Sequence, residues 1–152
     1  MRNLSLARIR EVFPDFNVRA ITEDDFWRAA KREKIIVREM PLLVDGYYQQ
    51  KNGRHYILIN KRLAGAKWLH TALHEFCHYL FDVPGPAENR VMYRRACGDP
   101  TDLREVFADA VALVGLLPFP DLVRLQTEDL TDNPWLSNIV RARITVRADF
   151  RI

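Results

Sequence analysis

The chain has 152 residues, 48% of them hydrophobic and 28% charged, and a formal net charge of +3. This length suits one domain with a hydrophobic core, so we predict a single domain over residues 1–152. The apolar runs are too short to cross a bilayer, and the first residues lack an apolar signal segment. The weak basic excess does not argue for nucleic-acid binding. We therefore expect a cytoplasmic protein without a membrane partner, for which direct nucleic-acid binding is not expected.

The N-terminal elements follow from apolar spacing and helix-boundary residues. Residues 4–13 carry apolar side chains at helical intervals and end at Pro14, which predicts an N-terminal helix and lead-in over residues 1–20. Thr22 is followed by three acidic residues, the pattern of a helix N-terminus, where a hydroxyl caps the first turn and acids suit the helix dipole. The β-branched run at 35–37 then predicts a short strand, within residues 35–38.

A hairpin is predicted from the Asn52-Gly53 pair, which stands between two strand-like runs. Asn-Gly favours the tight turn that joins antiparallel strands. We predict that residues 46–50 pair with residues 54–60, with residues 35–38 as a candidate third strand. The expected sheet is therefore small and antiparallel.

The remainder of the chain is predicted to be mainly helical. Helices are predicted over 63–81, from Thr101 and Asp102 to Leu117, over 120–126, and from Asn133 to about Arg147. A polar segment at 87–100 is predicted to be a loop or flap. The fold class is α+β: a small antiparallel sheet packs against the helix at 63–81, followed by a helical C-terminal half.

The helix predicted over 63–81 contains the pattern His74-Glu75-Phe76-Cys77-His78. Residues four apart lie on one face of a helix, so His74 and His78 can bind one metal ion. Glu75 lies beside them, where it can deprotonate a metal-bound water. Apolar residues cover much of this helix, and buried histidines need partners to offset their desolvation, which a metal would provide. The pattern predicts a Zn²⁺ site with Glu75 as catalytic base.

A catalytic zinc with two histidine ligands needs a third protein ligand and keeps one position for water. The next predicted helix carries Glu105 and Asp109, one turn apart on the same face. We prefer Glu105 as the ligand and Asp109 as hydrogen-bond partner of a ligand histidine, because the longer arm suits the ligand. The opposite assignment, with Asp109 as the ligand, stays open.

The same chemistry needs a hydrogen-bond donor for the oxyanion, and other polar residues lie near the motif in sequence. The candidate donors are Tyr47, Tyr48, Tyr93 and Arg90, among which the sequence does not choose. His70 continues the histidine face and is interpreted as a polar residue near the cleft, whereas His55 is interpreted as structural. Cys77 is interpreted as a small buried residue, and Cys77 and Cys97 as free thiols.

Three stretches resemble the ImmA/IrrE-type zinc metallopeptidases. They are the strand at 56–60, the motif at 73–80, and Ala108-Asp109 followed by Leu116-Leu117-Pro118. Arg143-Ile144 is similar to a late Arg-Leu position of that family. Cys77 stands where the family often has glycine, and Phe107 where it commonly has glutamate.

The resemblance implies a zincin-like minimal metallopeptidase fold with one zinc. It implies His74 and His78 as ligands, Glu75 as base and Glu105 as third ligand. The implied activity is limited proteolysis of a regulatory protein, such as a helix-turn-helix repressor or an antitoxin-like partner, in a stress response or in regulation of a phage or mobile element.

Two other functions are compatible with parts of the sequence. A non-catalytic metal-binding module could sequester a partner protein, but it would have no use for the base Glu75. A small DNA-binding protein rests only on the charge of +3 and scattered arginines. A zinc metalloendopeptidase is therefore the predicted function.

Overall fold

The computed structural model describes residues 2–82, 90–93 and 102–152, and confirms the α+β class. Within these ranges the chain forms six helices and four strands. The helices are α1 (Arg2–Val12), α2 (Glu23–Arg32), α3 (Gly65–Phe81), α4 (Leu103–Leu116), α5 (Phe119–Gln126) and α6 (Pro134–Phe150). The strands are β1 (Ile35–Met40), β2 (Gly46–Lys51), β3 (Arg54–Asn60) and β4 (Arg90–Tyr93).

The sheet has the order β1-β3-β2-β4, and the hairpin prediction is confirmed. Strands β2 and β3 are antiparallel and joined at Asn52 and Gly53, both with positive φ (51° and 72°), as a tight turn requires. The prediction of an antiparallel sheet was wrong in one respect: β1 runs parallel to β3, so the sheet is mixed. β4 pairs antiparallel with β2 and lies inside the segment predicted as a loop or flap; the rest of that segment is outside the described residues.

The predicted helices form close to their expected bounds. Thr22 caps α2 in a reciprocal arrangement with Asp25, Asp102 caps α4, and Asn133 caps α6. Helix α3 begins two residues later than predicted, at Gly65 rather than residue 63, and ends at Phe81. The C-terminal part, residues 102–152, is helical as predicted.

Helix α3 occupies the centre of the fold, where it packs against α4, β2 and β3. Its residues from Thr71 to His78 are all buried. Phe76 is 1% exposed and its ring meets those of Phe13, Phe26 and Tyr79 at 5.3–6.0 Å. Burial of one such side chain contributes roughly 2–3 kcal/mol to folding, so the apolar residues between the histidines hold the motif in place.

Two glycines allow neighbouring elements to approach α3 closely. A β-carbon at Gly115 on α4 would lie 2.8 Å from Leu73 Cδ1, and one at Gly46 on β2 would lie 2.8 Å from Thr71 Cγ2. Both distances are shorter than van der Waals contact, so larger residues would push α4 or β2 away. These contacts set how near α4 and β2 come to the motif.

No single helix in the described part of the chain is long and apolar enough to cross a membrane. Helices α4 and α5 taken together have the length and apolar composition of a membrane span, but their axes are bent by 73° relative to each other.

Candidate metal centre

The structure brings three predicted ligand side chains together between α3 and α4. His74 Nε2 lies 3.1 Å from Glu105 Oε2, and His78 Nε2 lies 3.1 Å from Glu105 Oε1. The two histidine Nε2 atoms are also 3.1 Å apart. Both histidines are completely buried, and the Glu105 side chain is 13% exposed. These three residues form a group that could hold one metal ion.

The outer nitrogen of each imidazole is held by a carboxylate. His74 Nδ1 lies 2.8 Å from Asp109 Oδ1, and His78 Nδ1 lies 2.8 Å from Asp82 Oδ2. When Nδ1–H donates to a carboxylate, the tautomer and the orientation of the ring are fixed, and Nε2 is left to face the centre. Both rings therefore present the same nitrogen to the Glu105 carboxylate.

Asp82 was missed in the sequence predictions. It lies four residues after His78, the spacing that places side chains on one helical face, so the signal was present. Asp82 lies outside the predicted helix, which ends at residue 81, and in the structure it directly follows the last helical residue.

The electrostatics of the group are those of a buried ion cluster. Burial would lower the pKa of His78, but hydrogen bonds with Asp82 and Glu105 outweigh it and raise the pKa to about 10. Burial would also lower the pKa of His74, but hydrogen bonds with Asp109 and Glu105 outweigh it and raise this pKa. Burial would raise the pKa of Glu105, yet hydrogen bonds from both imidazoles hold it well below its usual range. A metal ion entering this group would displace protons from the histidines.

Glu75 is completely buried and lies on the side of α3 that faces β2. A β-carbon at Gly46, the first residue of β2, would be 3.7 Å from Glu75 Cγ. Its charge is near enough to help raise the pKa of both His74 and His78. Glu75 therefore adjoins the metal-ligand group without being part of it.

The other polar candidates have different surroundings. His70 Nε2 lies 3.9 Å from Asp109 Oδ1, at the edge of the group. The Tyr48 hydroxyl lies 2.7 Å from His55 Nδ1, and Tyr48 is completely buried, which agrees with a structural role for His55. Tyr47 is on the face of β2 opposite Gly46, because strand residues alternate. The side chains of Arg90 and Tyr93 lie outside the described part of the structure.

Cys77 is 1% exposed and free, as expected for a small core residue. Burial is the main cause that raises the pKa of its thiol well above the ordinary value. Such a thiol is unsuited to act as a nucleophile. Cys97 is outside the described residues.

No protein-family model matches the chain, and searches of curated proteins and of solved structures give no match.

Proposed function

We propose that this chain is a zinc-dependent metalloendopeptidase that performs limited proteolysis of a regulatory protein. The observation that carries the proposal is the convergence of His74 Nε2, His78 Nε2 and the Glu105 carboxylate, each pair 3.1 Å apart. Zinc–nitrogen and zinc–oxygen bonds are about 2.0–2.2 Å, so neighbouring ligand atoms on a tetrahedral ion lie about 3.3 Å apart. The donor set, two imidazoles and one carboxylate, also suits a catalytic zinc with one position for water.

The hydrogen bonds of the two Nδ1 atoms support the same donor set. Asp109 and Asp82 occupy the Nδ1 atoms, so the Nε2 atoms are the ones available to a metal. Glu105 is therefore the proposed third ligand. Asp109 is the proposed partner of His74 rather than a ligand.

A bound zinc ion would supply Lewis acidity, which polarises a peptide carbonyl and lowers the pKa of water. Glu75 takes a proton from the attacking water at a carboxylate oxygen and passes it to the leaving amine nitrogen. The products are a new carboxyl and a new amino terminus. The burial of Glu75 beside the ligand group supports this role, because a base in a water-poor site is not solvated by bulk water.

An extended substrate would pair with an exposed sheet edge. Among the described strands, β4 stands at the end of the sheet order next to β2, and β2 starts beside Glu75. Membership of the ImmA/IrrE family, a repressor or antitoxin-like substrate and a cytoplasmic location stay predictions from the sequence.

Two measurements test the proposal. Elemental analysis should find about one zinc per chain, lost in His74→Ala. Incubation with a proteome-derived peptide library, followed by mass spectrometry, should detect new termini. Glu75→Gln should keep the zinc and reduce cleavage by roughly 10²–10⁴-fold, since a general base contributes that much. Glu128→Gln, at an exposed glutamate that follows α5 and pairs with Arg124, should behave like the parent.

The outcomes separate the hypotheses. A carefully prepared protein that takes up no zinc would remove the metal centre from the proposal. A different result would be a parent protein that binds zinc but cleaves no peptide, together with a Glu75→Gln variant that keeps the biological effect. That result would identify the chain as the metal-binding module that sequesters a partner.

A further inference from the structure

We propose that Asp82 is a positioning residue that holds His78 in its metal-binding orientation and makes metal affinity depend on the last turn of α3. This inference rests on the proposed function, because it takes His74, His78 and Glu105 as the ligand set. It concerns a carboxylate that contacts one of these ligands and is not itself a member of the set.

Asp82 is bonded to His78 twice. Its main-chain N–H donates to the His78 carbonyl at 2.8 Å, and its Oδ2 accepts from His78 Nδ1 at 2.8 Å. These two hydrogen bonds join Asp82 to His78 across the last turn of α3. Asp82 is the residue at which the helical conformation ends (φ −115°, ψ 13°). The orientation of the His78 imidazole therefore depends on how α3 ends.

The surroundings make this contact more than a surface ion pair. The His78 side chain is fully buried and the Asp82 side chain is 13% exposed, so little water can replace the carboxylate. If Asp82 were removed, the buried Nδ1 of His78 would lose this partner. The ring could then adopt the other tautomer or rotate, and Nε2 would no longer be held towards Glu105.

His74 is held in a different way. Its Nδ1 partner, Asp109, belongs to α4 and is 41% exposed, and Asp109 also lies 3.9 Å from His70. The two histidines are thus oriented by carboxylates from different elements. Docking of α4 positions the His74 ring, whereas α3 positions the His78 ring by its own C-terminal turn.

The test is a zinc-competition titration with a chromophoric chelator on the full chain. Asp82→Ala should weaken zinc binding by about 10–100-fold, the usual effect of removing a hydrogen-bond partner of a ligand histidine. Asp82→Asn should cause a smaller loss, because an amide oxygen still accepts from Nδ1–H but carries no charge. Asp121→Ala, at an exposed aspartate of α5 that pairs with Arg124, is the matched control and should bind zinc like the parent.

A second readout distinguishes orientation from general loosening. Long-range ¹H–¹⁵N spectra of the zinc-loaded protein should show His78 with a protonated Nδ1 in the parent and a disturbed Nδ1 signal in both Asp82 variants. The His74 signals should change little. Thermal unfolding checks that each variant is folded.

Each outcome decides the inference. Parent-like zinc affinity in folded Asp82→Ala would overturn it while leaving the proposed function intact, because the parent would still bind zinc. If Asp82→Ala does not fold, the decision passes to Asp82→Asn, where unchanged affinity and an unchanged Nδ1 signal would overturn it. Absence of zinc binding by the parent would instead be a failure of the proposed function.

Discussion

Two carboxylates one turn apart on α4 have different partners, and this difference organises the site. Glu105 reaches both Nε2 atoms, whereas Asp109 reaches the Nδ1 atom of His74. The spacing of four residues could be read from the sequence, and so could the longer arm of glutamate. The division of roles could not be settled there, because it depends on the separation of α3 and α4, which Gly115 and Leu73 help to set.

We expect the two carboxylates to differ in their effect on zinc binding. Asp109→Ala should weaken zinc affinity by about 10–100-fold, because it frees the outer nitrogen of His74. Glu105→Ala should weaken it further, since a ligand is lost. The measurement is the same competition titration, with Glu128→Ala as an exposed control. Tighter zinc binding by Glu105→Ala than by Asp109→Ala would make Asp109 the ligand.

The secondary-structure elements show which sequence signals are local. The cap of α2 was predictable because its interactions join residues three apart: Thr22 Oγ1 accepts from the Asp25 N–H, and Asp25 Oδ2 accepts from the Thr22 N–H. The direction of β1 was not predictable, because its partner in the sheet is β3, and β2 separates the two strands in sequence. Strand β4 has only four residues and is defined by its pairing with β2. Its own sequence therefore gave little indication of a strand.

The same cap predicts a pH dependence of stability. Burial would raise the pKa of Asp25, but hydrogen bonds from Arg19 and Thr22 lower it from 3.8 to about 2. A lowered folded-state pKa stabilises the fold above pH 4, and this contribution is lost as the pH falls from 4 through about 2. Its size is about 2 kcal/mol, at about 1.4 kcal/mol per unit.

Asp25→Asn should therefore lower the free energy of unfolding by up to about 2 kcal/mol at pH 7 and by a small part of that near pH 2, where the folded carboxylate is about half protonated. Urea unfolding at pH 7, 4 and 2 measures this. The control is Asp24→Asn, one residue earlier and exposed. An equal loss at all three pH values would show that charge at Asp25 is not the cause.

Across the whole molecule, Arg143 connects three distant segments. It is completely buried, and it donates to the Leu117 carbonyl at 2.7 Å, the Ile152 carbonyl at 2.6 Å and Asn17 Oδ1 at 3.0 Å. Burial, with a smaller effect of the Arg147 charge, lowers the pKa of Arg143 to about 10, so the guanidinium stays charged at neutral pH. The sequence singled out this position only by a resemblance and carried no sign of these contacts, because the partners are up to 126 positions away.

Arg143→Met should destabilise the fold by roughly 2–4 kcal/mol, because buried oxygen acceptors would lose their donors. Arg143→Lys should recover part of this, since an ammonium can donate to some of the three oxygens but lacks the planar fork. Denaturant unfolding followed by tryptophan fluorescence is the measurement. Arg141→Met, exposed on the same helix, should change stability by less than about 0.5 kcal/mol. A similar loss at both positions would contradict the role of Arg143.

The contacts of Arg143 also have a consequence for the order of folding. The metal-ligand residues of α3 and α4 are at most 31 positions apart, and the strands of the hairpin are closer still. Closing the much longer loop between Asn17 and Arg143 costs more chain entropy, so we predict that this contact forms late in folding. Contacts made after the transition state govern the unfolding rate rather than the refolding rate. We therefore expect Arg143→Met to raise the unfolding rate, measured by stopped-flow fluorescence, more than it lowers the refolding rate, although Arg143 belongs to neither of the helices that build the metal centre.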